Sequence, residues 1–422
     1  MKKLSAIIIG YGNRGYAYSQ YSVDHPDELE IVAIADLNPI RRETARTRHN
    51  IPAEGLYTDW KDLAAKPKMA DFAMVTVQDN MHHEVALALI EKGYHLLLEK
   101  PMAPTPQECK DITEAAEKKG VKVVVCHVLR FNQFWRTIKR VIDSGRLGKV
   151  MNIIAQEEVG HLHNSHSYVR GEWRNTAESS CMIMAKCCHD MDILQWILGQ
   201  KCKYVQSFGR LSYFRKENQP AGAPDRCLDG CPVADTCHYN AVKVYPKGTS
   251  EYFRRTAAGT NEMPTDEQVM EAIKEGPYGR CVFACDNDVV DHQVVNLEYE
   301  DGCTVSFTMT AFSEGYRGIR IFGTEGELVS SREQDYLELY PFDTRKWERI
   351  DIDVTGNDIA SGHGGGDTGI MVDILSLLRG EIPSDSICEV RTSYENHITG
   401  FAAEESRLTN KVVSIEEYEK SL

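Results

Sequence analysis

The apolar stretch His95–Leu98 runs straight into Glu99, Lys100 and Pro101. Charges that end a strand of a parallel sheet face the crevice where such sheets bind ligands. An ammonium placed there stabilises an oxygen that gains negative charge as it loses its proton. Upstream, Gly10, Gly12 and Gly15, with Asn13 and Arg14 among them, follow the apolar run Leu4–Ile9 and open a helical stretch. In that context the G-x-G-x-x-G spacing lets backbone approach a pyrophosphate at the positive end of a helix. Asp36 ends the next apolar run. Its carboxylate suits the adenosine ribose hydroxyls and repels a 2′-phosphate, so NAD is expected in preference to NADP. Arg41 and Arg42, close by in sequence, soften that preference. A third group is Cys227, Cys231 and Cys237, spaced C-x3-C-x5-C, with Cys281 and Cys285 further on. Thiolates this dense suit a structural zinc site. The spacing is not that of a standard finger, and iron–sulfur ligation and free reduced thiols are the other readings.

The elements that must position these groups show in the pattern. Up to residue 128, short apolar runs alternate with helical stretches, which predicts a doubly wound parallel sheet. One helix is fully signposted: Thr105 caps it, Pro106 opens it, Glu108 completes a capping box and Gly120 ends it. From residue 129 the runs are longer and often alternate, at 150–159, 203–208, 289–299, 304–311, 318–322 and 335–340. Asp301-Gly302 marks a hairpin between two of them. This predicts an α+β unit with a large, mostly antiparallel sheet, closed by helices at 368–378 and 393–408. The expected division is an NAD-binding Rossmann unit at 1–128 and a sheet unit at 129–422, with an irregular Cys-rich insertion at 214–285. The sheet unit is expected to bind substrate and to join copies into a homodimer or homotetramer.

Composition narrows the partners. The chain has 422 residues and a formal charge of -15, and it lacks the basic surface that nucleic acid or an anionic membrane requires. No apolar run approaches the roughly 18 residues of a membrane span. The lysines at the start lead into a glycine loop, unlike a signal peptide. Thirteen cysteines, an odd number in a long chain, argue for a reducing cytoplasm over a secreted disulfide framework.

The glycine fingerprint, Glu99-Lys100-Pro101 and a His-Asp helix near residue 190 together resemble the Gfo/Idh/MocA oxidoreductases over most of the chain; residues 214–285 are least similar. The resemblance implies hydride exchange between a bound nicotinamide and a secondary hydroxyl of a sugar, glycoside or cyclitol. It places Glu99 and Lys100 at the nicotinamide and makes His189 the acid/base. The family's Asp four residues before that His is Ala185 here. If "MIMAKCCHDMDILQWILG" is one helix, Lys186 shares a face with His189 and supplies the missing polar contact. The alternative pairs Lys186 with Asp190 on a solvated face. In the loop after the third long strand, Val77 and Gln78 replace the family's Thr-Pro, whereas His82 matches its histidine; Val77 and His82 are expected at the cofactor. Candidate substrate contacts are Arg130, His161 and His163 (read as alternate positions facing one way), Trp173, Arg174 and His292. The altered proton relay leaves a second function open, an NAD-assisted glycosidase or lyase working through transient ring oxidation and elimination. A non-catalytic nucleotide sensor is a third, weakened by the presence of both Lys100 and His189.

Overall fold

A computed structural model describes residues 2–248, 250–352 and 365–422. Strands β1 (Leu4–Ile9), β2 (Leu29–Ala35), β3 (Leu56–Tyr57), β4 (Phe72–Val75), β5 (His95–Leu98) and β6 (Val123–Val125) form one sheet, ordered β3-β2-β1-β4-β5-β6. Every pairing in it is parallel. Both faces are buried, so β1, β4 and β5 read as continuous apolar runs. Alternate residues divide between two cores: Ile7, Ile9, Val75 and Leu98 on one face, and Ile8, Met74 and Leu97 on the other. The strand order reverses between β1 and β4, which opens a crevice at their carboxyl ends. The signposted helix is Pro106–Lys119, with both capping-box bonds formed and Gly120 left-handed at φ 68°.

The second sheet has nine strands: β7 (Val150–Glu158), β8 (Cys202–Arg210), β9 (His292–Tyr299), β10 (Thr304–Thr310), β11 (Tyr316–Gly323), β12 (Gly326–Ser330), β13 (Tyr336–Pro341), β14 (Glu348–Asp351) and β15 (Val413–Ser414). Their order is β14-β13-β12-β11-β7-β10-β9-β8-β15, antiparallel except where β7 meets β10. Asp301 and Gly302 turn β9 into β10, and Gly302 takes φ 87°. One face packs inward, while Ile154, Tyr204 and Phe208 lie on the other at 48%, 38% and 45% exposure.

Helix Gly366–Arg379, late in the chain, packs through Ile370, Met371, Ile374 and Leu375 on the first sheet's core. One expectation is corrected here: the insertion is more regular than its polar sequence suggests. It contains helices Glu251–Ala258 and Asp266–Glu275 and two small apolar clusters, one around Phe214, Tyr239 and Phe283, the other around Tyr245, Val269 and Ile273. Among the described residues, no helix is long and apolar enough to cross a membrane.

Candidate functional site

The glycines shape the crevice each in its own way. Gly10 takes φ 89°, and a Cβ there would lie 2.7 Å from the Thr76 carbonyl oxygen; a Cβ on Gly15 would lie 2.3 Å from the Gly10 oxygen. Gly12 meets only Arg41, 3.7 Å away, and caps helix Asn13–Asp24 with no side-chain bond. Open backbone at an uncapped helix N-terminus fits a dinucleotide pyrophosphate. Asp36 ends β2 and is oriented by backbone N–H groups of Tyr11 at 2.6 Å and Asn38 at 2.8 Å. Asn13 lies at the crevice and donates to Thr256 of the insertion at 3.3 Å.

The Arg14 guanidinium turns into the fold, to Glu99 at 2.8 Å and Asp367 at 2.6 Å. Glu99 is 7% exposed and also accepts from Tyr18 at 2.7 Å, which anchors the strand end. Burial alone would raise its carboxyl. Arg14 and Lys100, with the bonds from Arg14 and Tyr18, outweigh burial and hold it below the usual range.

The turn that follows presents Lys100. The Lys100–Pro101 bond is cis. His82 has its two ring nitrogens 2.8 Å from the Pro101 carbonyl and 3.1 Å from that of Val77, and it is 1% exposed. It ties the turn at Pro101 to the loop at Val77 through their two carbonyls. Next in the chain, the Met102 N–H donates to His397 Nε2 at 2.9 Å. His397 Nδ1 therefore carries the proton and donates to the Ser393 carbonyl at 2.7 Å. Burial and the neighbouring His127 push the His397 pKa down to about 3. The ring is neutral, as its bonds require.

Lys100 Nζ donates to the Ala185 carbonyl at 3.0 Å. That carbonyl lies where the expected single helix is broken. Met182–Ala185 forms one turn, Lys186 and Cys187 interrupt it, and Cys188–Leu198 continues. Lys186 and His189 thus do not share a helix face. Nor does Lys186 pair with Asp190 in solvent. It reaches Glu157 at 3.2 Å; Arg317 bridges Glu157 at 2.7 Å and Asp190 at 2.8 Å, and all four side chains are at most 17% exposed. Burial raises the Asp190 carboxyl; Arg317 pulls it back, Glu157 pushes it up, and the net shift is upward. His189 is buried, with its ring 6.0 Å from that of His127.

The substrate candidates separate. His161 and His163 lie in the helical turn His161–Asn164, where residues two apart point to different sides. His161 faces Ser313, with Nδ1 3.0 Å from its carbonyl. His163 faces the site: burial first, then Lys186, His166, Lys100 and Arg317, hold its pKa well below the usual value. Trp173 donates to Asp79 at 3.3 Å, and Ser179 donates to the same buried carboxylate at 2.8 Å. Arg174 is turned away, to Asp286 at 2.8 Å and Glu178 at 2.8 Å. Arg130 is 3% exposed and bidentate to Asp192 at 2.8 and 2.6 Å, a buried structural pair. His292 bonds Asp291 at 2.7 Å at the start of β9 and lines a groove with Phe208 and Thr308, away from Lys100.

The sequence reasoning missed Asp79, His127, Glu157, Arg317 and His397. Glu157 and Arg317 carried a signal. Each falls on the apolar phase of its strand, after Ile153 and Ala155 in β7 and before Ile319 and Ile321 in β11, and the two are register partners. Charges in such positions pair across the sheet.

Comparison with known proteins bears on the fold and the family. The family model described as oxidoreductase family, NAD-binding Rossmann fold, matches residues 4–127, and its C-terminal alpha/beta domain matches residues 139–415. YteT of Bacillus subtilis (strain 168) is 25% identical over 366 residues, 82% of each chain. Inositol 2-dehydrogenase of Burkholderia multivorans is 29% identical over 194 residues, 46% of this chain and 54% of that enzyme. Among solved structures, levoglucosan dehydrogenase in complex with NADH and levoglucosan superposes with a TM-score of 0.70 at 18% identity, covering 98% of this chain and 100% of that one. An oxidoreductase from Agrobacterium radiobacter in complex with NAD+, L-tartaric acid and magnesium gives 0.69 at 16% identity, with 99% of each chain covered.

Proposed function

The chain belongs to the Gfo/Idh/MocA oxidoreductase family, and on that premise we propose that it oxidises a secondary hydroxyl of a sugar, glycoside or cyclitol with NAD. The observation that carries the proposal is Lys100: a buried turn fixed at Glu99, Pro101 and Met102 delivers one ammonium to a cluster of histidines at the mouth of a dinucleotide crevice. Gly10, Gly12, Gly15 and Asn13 line the pyrophosphate position, and Asp36 meets the ribose. Bound there, the nicotinamide supplies a hydride acceptor for the carbinol carbon. Lys100 Nζ holds the substrate oxygen and stabilises its developing negative charge. His189, four residues beyond the Ala185 carbonyl that fixes Lys100, accepts the hydroxyl proton. Lys186 and His163 orient the hydroxyls next to it, and Trp173 offers an apolar plate beside Asp79.

The relatives named inositol 2-dehydrogenase and levoglucosan dehydrogenase support a cyclic polyol or sugar as substrate. A panel of cyclitols, hexoses and anhydrosugars, read as reduced nicotinamide released per ketone formed, tests the reading. One reduced nicotinamide per ketone supports it; turnover without net reduction points instead to redox-neutral elimination. Thirteen cysteines with no disulfide among the described residues suit a reducing cytoplasm. The open sheet face bearing Ile154, Tyr204 and Phe208 is the surface expected to pair with a second copy; light scattering that finds a monomer at micromolar concentration contradicts this.

A further inference from the structure

Arg170 ends the helical segment Ser165–Arg170 and is fully buried, at 0% exposure. Its Nε donates to the Arg280 carbonyl at 2.7 Å and its second terminal nitrogen to the Tyr239 carbonyl at 2.6 Å. That same nitrogen points at Cys227 Sγ, 3.7 Å away, while the first terminal nitrogen has no hydrogen-bond partner. Among the described residues, no carboxylate lies within ion-pair distance of it. A guanidinium stays protonated when buried, so this cation needs an anion the ordinary side chains do not provide.

The space beside it is a small cavity, about 20 Å³, lined by Cys227, Cys231, Cys237 and Cys281, with Val233 and Phe283 closing the apolar side. Backbone pairing brings the distant fourth cysteine in. Arg226 and Arg280 form an antiparallel bridge, Cys227 N–H donates to Gly279 at 3.0 Å, and Cys281 N–H donates to Asp225 at 2.8 Å. Cys285 stands outside the cavity and donates to the Cys281 carbonyl at 3.3 Å.

We propose that Cys227, Cys231, Cys237 and Cys281 hold a metal centre as thiolates, and that Arg170 is its buried counter-ion. Four thiolates around a single zinc ion or around a four-iron, four-sulfide core leave a net charge of about -2, the anion that Arg170 lacks. Among the described residues, the other cluster of ligand-bearing side chains, His127, Asp192 and Cys388, already has its cation in Arg130. The role is structural: the centre braces an insertion whose Thr256, Gly259 and Asn261 bond Asn13, Asn38 and the Tyr11 carbonyl at the dinucleotide crevice.

The test is metal and acid-labile sulfide analysis of the untagged full chain purified without oxygen or chelator, with its visible spectrum. About one zinc per chain, or about four irons with matching sulfide, is the expected result, and either upholds the thiolate site. Cys231→Ser and Cys237→Ser should each lose most of the metal, Cys285→Ser should keep it, and Arg170→Met should weaken retention by about 10-fold or more against a competing chelator. A folded wild-type protein that holds no transition metal and titrates all four thiols overturns the proposal.

Discussion

Lys100 is held by a carbonyl and, among the described residues, by no carboxylate within ion-pair distance. The ammonium is therefore fixed without being neutralised, the state in which it does most for an oxyanion. Asp36 is prepared in a similar way: two backbone N–H groups orient its carboxylate and leave lone pairs for a ribose. Replacing Asp36 by Ser should weaken NAD binding by about 10-fold or more, the scale of a lost hydrogen bond to a charged group, while NADP changes less. Calorimetry with both nucleotides checks this; equal affinities in the wild type contradict the role. Lys100 was legible at the residue scale because a charge-and-proline ending on a buried strand has few explanations. The Arg14–Glu99 ion pair was not legible, because it joins two motifs that meet only in the folded chain.

At the scale of elements, the turn after β5 depends on parts far away in sequence. His82 opens the helix His82–Glu91 after β4, and His397 comes from the helix Val390–Thr409. Neither contact has a local signature, because both join elements that meet only in the folded chain. The same holds for the break at Lys186: helical spacing runs through "MIMAKCCHD", yet Lys186 turns out to meet Glu157 of β7. Strands β12, β14 and β15, of five, four and two residues, are too short to show a period. The capping box at Thr105 and the turn at Gly302 were legible because their chemistry is local. His397→Leu should leave the Met102 N–H buried without an acceptor, costing about 1–3 kcal/mol and loosening the Lys100 turn. The unfolding midpoint and turnover should both fall while NAD affinity holds, and His397→Gln, whose amide oxygen can accept the same N–H, should recover much of the loss. Unchanged turnover in His397→Leu would separate this helix from the site.

For the whole molecule, burial sets the response to acid. His49, His127, His163, His166 and His397 all have pKa values below the ordinary 6.5, in each case chiefly through burial. Each binds a proton in the unfolded chain below about pH 6.5 but not yet in the folded one. Stability is therefore full above that pH and falls as pH drops toward the folded values, about 4 for His49 and about 3 for His166 and His397. Asp190 and Glu172, shifted upward, work the other way, but they are two groups against six once His95, also lowered by burial, is included. The unfolding midpoint should drop by several degrees between about pH 7.5 and 5.5; a flat profile would contradict the buried, neutral histidines. Two sheets, an insertion and a returning helix converge on one lysine, and the most direct test of the account lies there. On a substrate found by the polyol panel, Lys100→Met should bind NAD nearly as the wild type does and turn over about 100-fold more slowly or worse. Normal turnover in Lys100→Met would contradict the account.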